Sequence, residues 1–336
     1  MRLNKIISIF IVLILLFSVT SCNSTDTASD ITSGISQTEN NSSDNKTDKE
    51  KENQSTPLLY KASDKKGNYI WLFGSIHVGE DYFYPLPEYV ISAFNEADSL
   101  AVEFDITTYE RDFKAQMKSL QAFVYTDGTK IKDHIPEKTY EKAKKILKDN
   151  NFYNASMDYY FPAFWSSIIE NITYEKIKID YDLGIDRHLI KKAHDTNKKI
   201  HDIESAELQY NMMAGFSEDL QIMILESSIL SYKLSFVTKY QIKNMMKEWA
   251  KGDEEKLASQ VSAEGSILMN KEEKALYAEY NQKIVTERNI SMTDWAEKAL
   301  KSGENVFICV GAAHIVGDGA MAQLLTERGY TVEKVN

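Results

Sequence analysis

Two short segments of the sequence each place a histidine three residues after a glycine at the end of an apolar run. "IWLFGSIHVG" contains Gly74 and His77, and "FICVGAAHIVGDG" contains Gly311 and His314. A third apolar run, "SLAV", leads directly to Glu103. Two imidazoles and a carboxylate suit a divalent metal with open coordination positions, which can polarise a carbonyl and activate water. Without a metal, the same side chains suit acid–base catalysis, with Glu103 tuning one histidine.

The three apolar runs are typical of buried β-strands, so their order in a sheet decides whether these residues meet. In open α/β sheets, ligands bind outside the carboxyl ends of the strands. If the three strands are parallel neighbours, we expect His77, Glu103 and His314 to converge on one pocket. A glycine there lets the backbone turn off the strand and leaves room for a ligand. One such histidine is more often a satisfied core residue, and the repetition after two strands favours a site.

The elements around these residues predict an α/β fold with a mostly helical middle. The first strand is followed by "LPEYVISAFNEAD", with apolar residues at helical spacing, and then by the second strand, which indicates a βαβ unit. The middle contains amphipathic helices and one short strand at residues 199–203. The tail returns to a strand in "NVFICVG", a helix in "GAMAQLLTERG" and a last strand in "YTVEKV". The order of the strands stays open.

The first 56 residues indicate export and membrane anchoring, and we do not expect them to be part of the folded domain. Residues 1–21 combine basic residues near the start with a short apolar stretch, which is the layout of a secretory signal. The following "VTSC" resembles a bacterial lipobox. The resemblance implies that Cys22 carries a diacylglycerol and an amide-linked acyl chain such as palmitate, which hold the protein at the extracytoplasmic face of the cell membrane. An ordinary signal peptide is the alternative.

Residues 22–56 are polar and cannot bury enough surface to fold, so we expect a disordered tether. The folded domain then spans residues 57–336. The formal net charge of −11 argues against a nucleic-acid partner. Only Cys309 remains after Cys22, so no intramolecular disulfide can form, and Cys309 is most simply a buried apolar residue.

Several segments together resemble the TraB/PrgY/GumN family, to which the TIKI metalloproteases also belong. The resemblance runs over residues 70–335 and is carried by "GSIHVG", "LPEYVISAFNEADSLAVEFD", "GIDRHLIKKAHDTNKKIHDIES", "ERNISMTDWAEKAL" and "GAAHIVGDGAMAQLLTERGYTVEKV". It implies an EreA/ChaN-like α/β fold, with a central mixed sheet flanked by helices. It also implies that His77, Glu103 and His314 form the active centre as catalytic residues and metal ligands, around a metal of the manganese or cobalt type, with zinc as a further option.

The family pattern adds candidates near the site. Asp186 and Glu204 match its acidic positions, and Arg288 matches its basic position. Gly74 and Gly311, from the two Gly-x-x-His segments, are further candidates near the site. An arginine beside a metal site can hold a substrate carboxylate or an oxyanion. The structural alternatives are a favourable helix-dipole position for Asp186 and a helix cap for Glu204.

Three functional hypotheses follow from these observations. The first is a membrane-anchored, extracytoplasmic, metal-dependent hydrolase, in particular a peptidase of extracellular peptides or polypeptides, as the TIKI resemblance implies. The second is a non-catalytic lipoprotein that binds a peptide pheromone or, by analogy with ChaN, haem or another iron ligand. The third is a lipoprotein scaffold with a degenerate site.

Overall fold

The computed structural model describes residues 55–261 and 270–335. The predicted signal sequence, Cys22 and nearly all of the predicted tether lie outside these residues. The centre of the described part is a six-stranded sheet. Its strands are β1 (Leu59–Ser63), β2 (Tyr69–Ser75), β3 (Ser99–Val102), β4 (Lys199–Asp202), β5 (Val306–Gly311) and β6 (Thr331–Lys334).

The sheet is mixed, with the strand order β4-β3-β5-β2-β1-β6. The strands β4, β3, β5 and β2 are parallel, whereas β1 is antiparallel to both β2 and β6. Strands β3 and β5 are buried along their whole length, as expected of parallel strands covered by helices on both faces. The expected α/β fold with a central mixed sheet and flanking helices is therefore confirmed.

Helices surround this sheet. They are α1 (Glu88–Glu96), α2 (Ile106–Tyr109), α3 (Phe113–Gln121), α4 (Glu137–Asp149), α5 (Pro162–Ile177), α6 (Ile185–Asp195), α7 (Ala206–Ala214), α8 (Glu218–Lys233), α9 (Ser235–Lys251), α10 (Glu254–Val261), α11 (Lys271–Asn281), α12 (Glu287–Ser302), α13 (Ala312–Ile315) and α14 (Met321–Glu327). A π-helical turn, Gln282–Thr286, joins α11 to α12.

The predicted βαβ unit, β2–α1–β3, exists, but its two strands are not direct neighbours. Strand β5 lies between them and pairs in parallel with both, from Trp71↔Phe307 on one side to Val102↔Cys309 on the other. A strand that is distant in the sequence thus fills the centre of the sheet. As a result, the three strands that precede the candidate site residues are adjacent and parallel, which was the condition for convergence.

The edges of the sheet differ from its centre in how well the sequence predicts them. Strand β4 forms one edge, and its bounds agree to within one residue with the strand predicted at residues 199–203. Strand β1 was not predicted, because five residues with a lysine in the middle give a weak strand signal. It joins β2 to β6 and buries Leu59 and Ala62 completely.

The helical middle packs around α5, which is buried on nearly all sides. This helix begins with a proline at its first turn and ends where Lys178 adopts a left-handed conformation, with φ 59°. It packs chiefly on α8, and its Trp165 is fully buried. Cys309 in β5 is 1% exposed, which confirms its predicted place in the core.

In the part of the chain that the structure describes, no single helix is both long and apolar enough to cross a membrane. The helices α8 and α9 reach that length and composition only as a pair, and they are bent by 99° where they meet.

Candidate active site

The three residues singled out by the apolar runs meet at the carboxyl edge of the sheet. His77 lies two residues beyond β2, Glu103 directly follows β3, and His314 lies in the short helix α13 after β5. An ideal Cβ atom built on Gly311 would lie 3.4 Å from Glu103 Oε1, 3.7 Å from His314 Cδ2 and 3.9 Å from His77 Nε2. All three side chains therefore border the same small volume.

The two glycines serve this arrangement through space rather than through an unusual backbone conformation. Neither Gly74 nor Gly311 has a positive φ. A Cβ on Gly74 would lie only 2.9 Å from the Cα of Ala312, so Gly74 permits the close approach of β2 to the turn after β5. A Cβ on Gly311 would enter the volume between the histidines and Glu103. Gly311 thus leaves space between the site side chains, as expected, whereas Gly74 allows the two chain segments that carry the histidines to pack closely.

Each histidine has a second side chain at its Nδ1 atom. His77 Nδ1 lies 3.1 Å from Asp186 Oδ2, because Asp186 sits in the first turn of α6 and that helix begins against the His77 segment. His314 Nδ1 lies 2.7 Å from Asn289 Oδ1 in α12. Histidine ligands of metals typically have such a partner, which orients the ring and leaves Nε2 for the ligand.

Glu103 is held by hydrogen bonds at both carboxylate oxygens. Its Oε1 accepts from the Gly311 amide at 3.0 Å, and its Oε2 accepts from Arg288 Nη2 at 2.6 Å and from Gln209 Nε2 at 3.0 Å. The Arg288 bond has the short distance of a charge-assisted contact. These bonds fix the carboxylate between the histidines and α12.

The guanidinium of Arg288 is buried and fully engaged by the protein. Its Nε and Nη2 donate to Glu204, its Nη2 also donates to Glu103, and its Nη1 donates to the Ile284 carbonyl in the π-helical turn at 3.2 Å. Every guanidinium nitrogen thus has a protein acceptor. These contacts favour a role in holding Glu103 and Glu204 over the expected role in binding a substrate carboxylate.

The Glu204 carboxylate accepts hydrogen bonds from Arg288 and does not cap a helix. The cap of α7 is the next residue, Ser205, whose hydroxyl accepts from the Leu208 amide at 3.1 Å. Glu204 also accepts from Gln209 Nε2 at 2.9 Å, and its backbone amide donates to the Glu103 carbonyl at 2.8 Å. The structural alternative of a helix cap therefore does not apply to Glu204.

Burial and neighbouring charges shift the pKa values of the three central residues in different directions. Burial acts to raise the pKa of the Glu103 carboxyl, but Arg288 and the two histidines outweigh it and hold that pKa well below its usual range. Burial, aided by Arg288, lowers the pKa of His314 to about 3. Burial also acts to lower the pKa of His77, yet the Asp186 carboxylate raises it above the ordinary value. At neutral pH, Glu103 is ionised and His314 is neutral.

Two residues of the site were missed from the sequence. Asn289 directly follows Arg288 in "ERNISMTDW", a segment that carries the family resemblance, but nothing in its type or spacing indicates contact with His314. Gln209 lies one helical turn beyond Ser205 and has no local signal either. Both positions depend on how α7 and α12 pack on the sheet.

The sequence profile of the TraB/PrgY/gumN family matches residues 58–334. This chain belongs to that family. As a TraB/PrgY/gumN protein, it is similar to YbaP of Escherichia coli (strain K12), with 24% identity over 257 residues that cover 76% of this chain and 86% of YbaP. The YbaP protein of Shigella flexneri matches to the same extent.

The chain is also similar to the metalloprotease TIKI2 of Xenopus tropicalis, with 21% identity over 324 residues. That match covers 82% of this chain and 61% of TIKI2, so the chain spans less than two thirds of this relative. No solved structure matches the chain significantly.

The donor set of this family member suits a divalent metal by its chemistry. His314 Nε2 is buried and has no hydrogen-bond partner among the described residues. The Nδ1 atoms of both histidines face other side chains, and Glu103 is anionic. Nε2 of the neutral His314, Nε2 of His77 in its neutral form and the Glu103 carboxylate could therefore bind a cation. Within residues 55–261 and 270–335, no three His, Cys, Asp or Glu side chains are already grouped at metal-holding distances. The metal set His77, Glu103 and His314 stays a prediction.

Proposed function

We propose that this protein is a metal-dependent hydrolase that cleaves peptide bonds. The observation that carries the proposal is the convergence of His77, Glu103 and His314 on Gly311, at the carboxyl ends of three adjacent parallel strands. Membership of the TraB/PrgY/gumN family and the similarity to a protein named as a metalloprotease support it. The substrates would be extracellular peptides or polypeptides.

In this proposal, His77, His314 and Glu103 hold a manganese- or cobalt-type ion, and the same donors would accept zinc. A bound ion would polarise the substrate carbonyl and lower the pKa of water. Asn289 orients the His314 ring through its contact with Nδ1, and the Asp186 carboxylate, 3.1 Å from His77 Nδ1, attracts the His77 ring electrostatically. Arg288 keeps Glu103 ionised, and a carboxylate with so low a pKa is a better ligand than general base.

The proposal is tested by metal binding and peptide cleavage with the full chain. The protein is purified without chelator, titrated with Mn²⁺ and Co²⁺, and given a peptide library. We expect the wild type to bind the ion and to cleave, and the His77→Ala, His314→Ala double variant to bind at least tenfold more weakly and to lose cleavage. His134→Ala is the matched control, because this histidine stacks on Tyr125 and pairs with Glu218 outside the site.

Unchanged metal binding and cleavage in the double variant would exclude the proposed centre. The second hypothesis, a binding lipoprotein, predicts a different result in the same assay. Such a protein would retain a peptide or haem stoichiometrically and release it chemically intact, which mass spectrometry of the bound fraction would detect.

We further propose that Cys22 is lipidated and tethers the domain to the membrane. The described part of the chain begins beside the end of α9, where the Thr56 amide donates to the Ala250 carbonyl at 2.6 Å. In cells, Cys22→Ala should abolish labelling by a fatty-acid analogue and release the protein from the membrane fraction. Cys309→Ala, which changes the other of the two cysteines, is the control and should keep both properties. Label retained by Cys22→Ala would contradict the proposal.

A further inference from the structure

A small recess lies directly beside the central residues. His77 and Glu103 form part of its lining, so it is continuous with the candidate active site. Most of its lining is apolar and comes from Val102, Phe104, Ile106, Ile190, Cys309 and Val310. Its free space is about the size of one water molecule, which is also about the size of a methyl group.

The apolar walls of the recess are firmly placed. Ile106 opens α2, and the preceding Asp105 accepts hydrogen bonds from the amides of Thr107 and Thr108. Ile190 lies in α6, the helix that also places Asp186 beside His77. Ile106 and Ile190 are 3% and 1% exposed, and close-packed interiors give way little to a larger group. A branched or aromatic side chain would therefore overlap with these walls.

We propose that this recess is a substrate subsite that accepts the side chain of a residue flanking the scissile bond and admits only glycine or alanine. The inference rests on the proposed hydrolase function. It follows from position, because a group that enters beside His77 and Glu103 belongs to the substrate residue nearest the reacting bond. It follows also from size and lining, because the space takes one carbon atom and its apolar wall favours a methyl group.

A water molecule is the competing occupant. Ser75 Oγ and Asp186 Oδ1 have no hydrogen-bond partner within the described residues, and Ser75 and Asp186 both belong to the lining. A resident water would satisfy such atoms, but it would create no preference among substrates. The test therefore compares side chains of different size.

The first experiment uses the full chain loaded with Mn²⁺ and peptides that differ only in the residues beside the cleaved bond. We expect kcat/KM at least tenfold higher for alanine or glycine than for leucine in the position served by the recess. Ile106→Ala and Ile190→Ala widen the recess and should raise cleavage of the leucine peptide about tenfold. Leu189→Ala is the matched control, because Leu189 is equally buried in α6 but does not line the recess.

Ile106→Val and Ile190→Val remove one methyl group each and replace any alanine variant that does not fold. They should shift the preference in the same direction by a smaller factor. Equal cleavage of the alanine and leucine peptides by the wild type would overturn the subsite while leaving the hydrolase function intact.

A second experiment needs no catalysis. The methyl NMR signals of Ile106 and Ile190 are followed during titration with N-acetyl-alanine methylamide and N-acetyl-leucine methylamide. Shifts with the alanine compound alone support the subsite, whether or not a peptide is cleaved. If the subsite is supported but no peptide is cleaved, the absence of cleavage counts against the hydrolase function. No shift with either compound means that the recess holds water only, and the subsite is overturned.

Discussion

The two histidines of the site differ in the group that faces Nδ1. His77 faces the Asp186 carboxylate, whereas His314 faces the neutral amide of Asn289. The amide cannot rotate freely, because its Nδ2 donates to the Gly319 carbonyl at 2.9 Å. Its oxygen therefore points at His314 and accepts a hydrogen bond, so the ring carries its proton on Nδ1 and presents a lone pair at Nε2.

Substitution of Asn289 tests this arrangement at the level of one residue. In Asn289→Leu the acceptor is lost, so the Nδ1–H form of His314 should no longer dominate, and affinity for Mn²⁺ should fall about 10- to 100-fold. Nitrogen NMR of the histidine rings reports the tautomer directly. Asn289→Asp retains an acceptor oxygen and should restore the Nδ1–H form. An unchanged tautomer in Asn289→Leu would show that Asn289 does not orient the ring.

At the scale of secondary-structure elements, the ends of β2 and β5 decide the geometry of the site. Both strands have a glycine at or next to their last residue, Gly74 in β2 and Gly311 in β5. The two glycines contact different parts of the protein. Gly74 faces the backbone of Ala312, and its own carbonyl accepts from Trp249 Nε1 at 2.8 Å. Gly311 faces the side chains of the site.

Alanine substitutions should separate these two roles. In Gly74→Ala the new Cβ meets backbone at 2.9 Å, so the sheet must shift and the free energy of unfolding should fall by about 1–3 kcal/mol. In Gly311→Ala the contacts of 3.4 to 3.9 Å are ordinary, so stability should change little while Mn²⁺ binding falls. Urea unfolding and metal titration of both variants measure this. Equal losses of stability would refute the distinction.

At the scale of the whole molecule, one buried carboxyl group links stability to pH. Glu170 lies in α5 and is 2% exposed. Neither of its carboxyl oxygens has a hydrogen-bond partner among the described residues. Burial raises the pKa of Glu170 from 4.5 to about 8. The folded protein therefore keeps Glu170 protonated at pH values where the unfolded chain has lost the proton.

The sign of the resulting pH dependence follows from proton binding. Between about pH 4.5 and 8 the folded state holds one more proton than the unfolded state, so this group makes stability fall as pH rises and level off above 8. Glu170→Gln cannot ionise and should be more stable than the wild type at pH 8 by a few kcal/mol, on the order of the linkage magnitude, but not at pH 4.5.

Denaturant unfolding at several pH values checks this expectation. Glu175→Gln is the matched control, because it lies in the same helix but is exposed, and its stability profile should follow that of the wild type. A constant difference in stability between Glu170→Gln and the wild type at all pH values would show that Glu170 does not titrate in this range.

The sequence by itself determined the α/β class, the central strands and the three side chains that meet at the ends of those strands. Apolar runs such as "VFICV" are strong strand signals because a parallel strand is buried on both faces. The repeated Gly-x-x-His segments then mark His77 and His314, since each follows such a run. The family resemblance added Asp186, Glu204 and Arg288, which all lie at the site.

Only the tertiary structure decided how these residues are combined. Strand order depends on pairing between segments more than 200 residues apart, and β5 takes the place between β2 and β3 for which local sequence gives no signal. The hydrogen bond between Asn289 and His314 depends on how the helices pack. The same holds for the hydrogen bonds from Gln209 and Arg288 to Glu103. Such contacts arise from the summed burial of many side chains, so no short stretch of sequence encodes them.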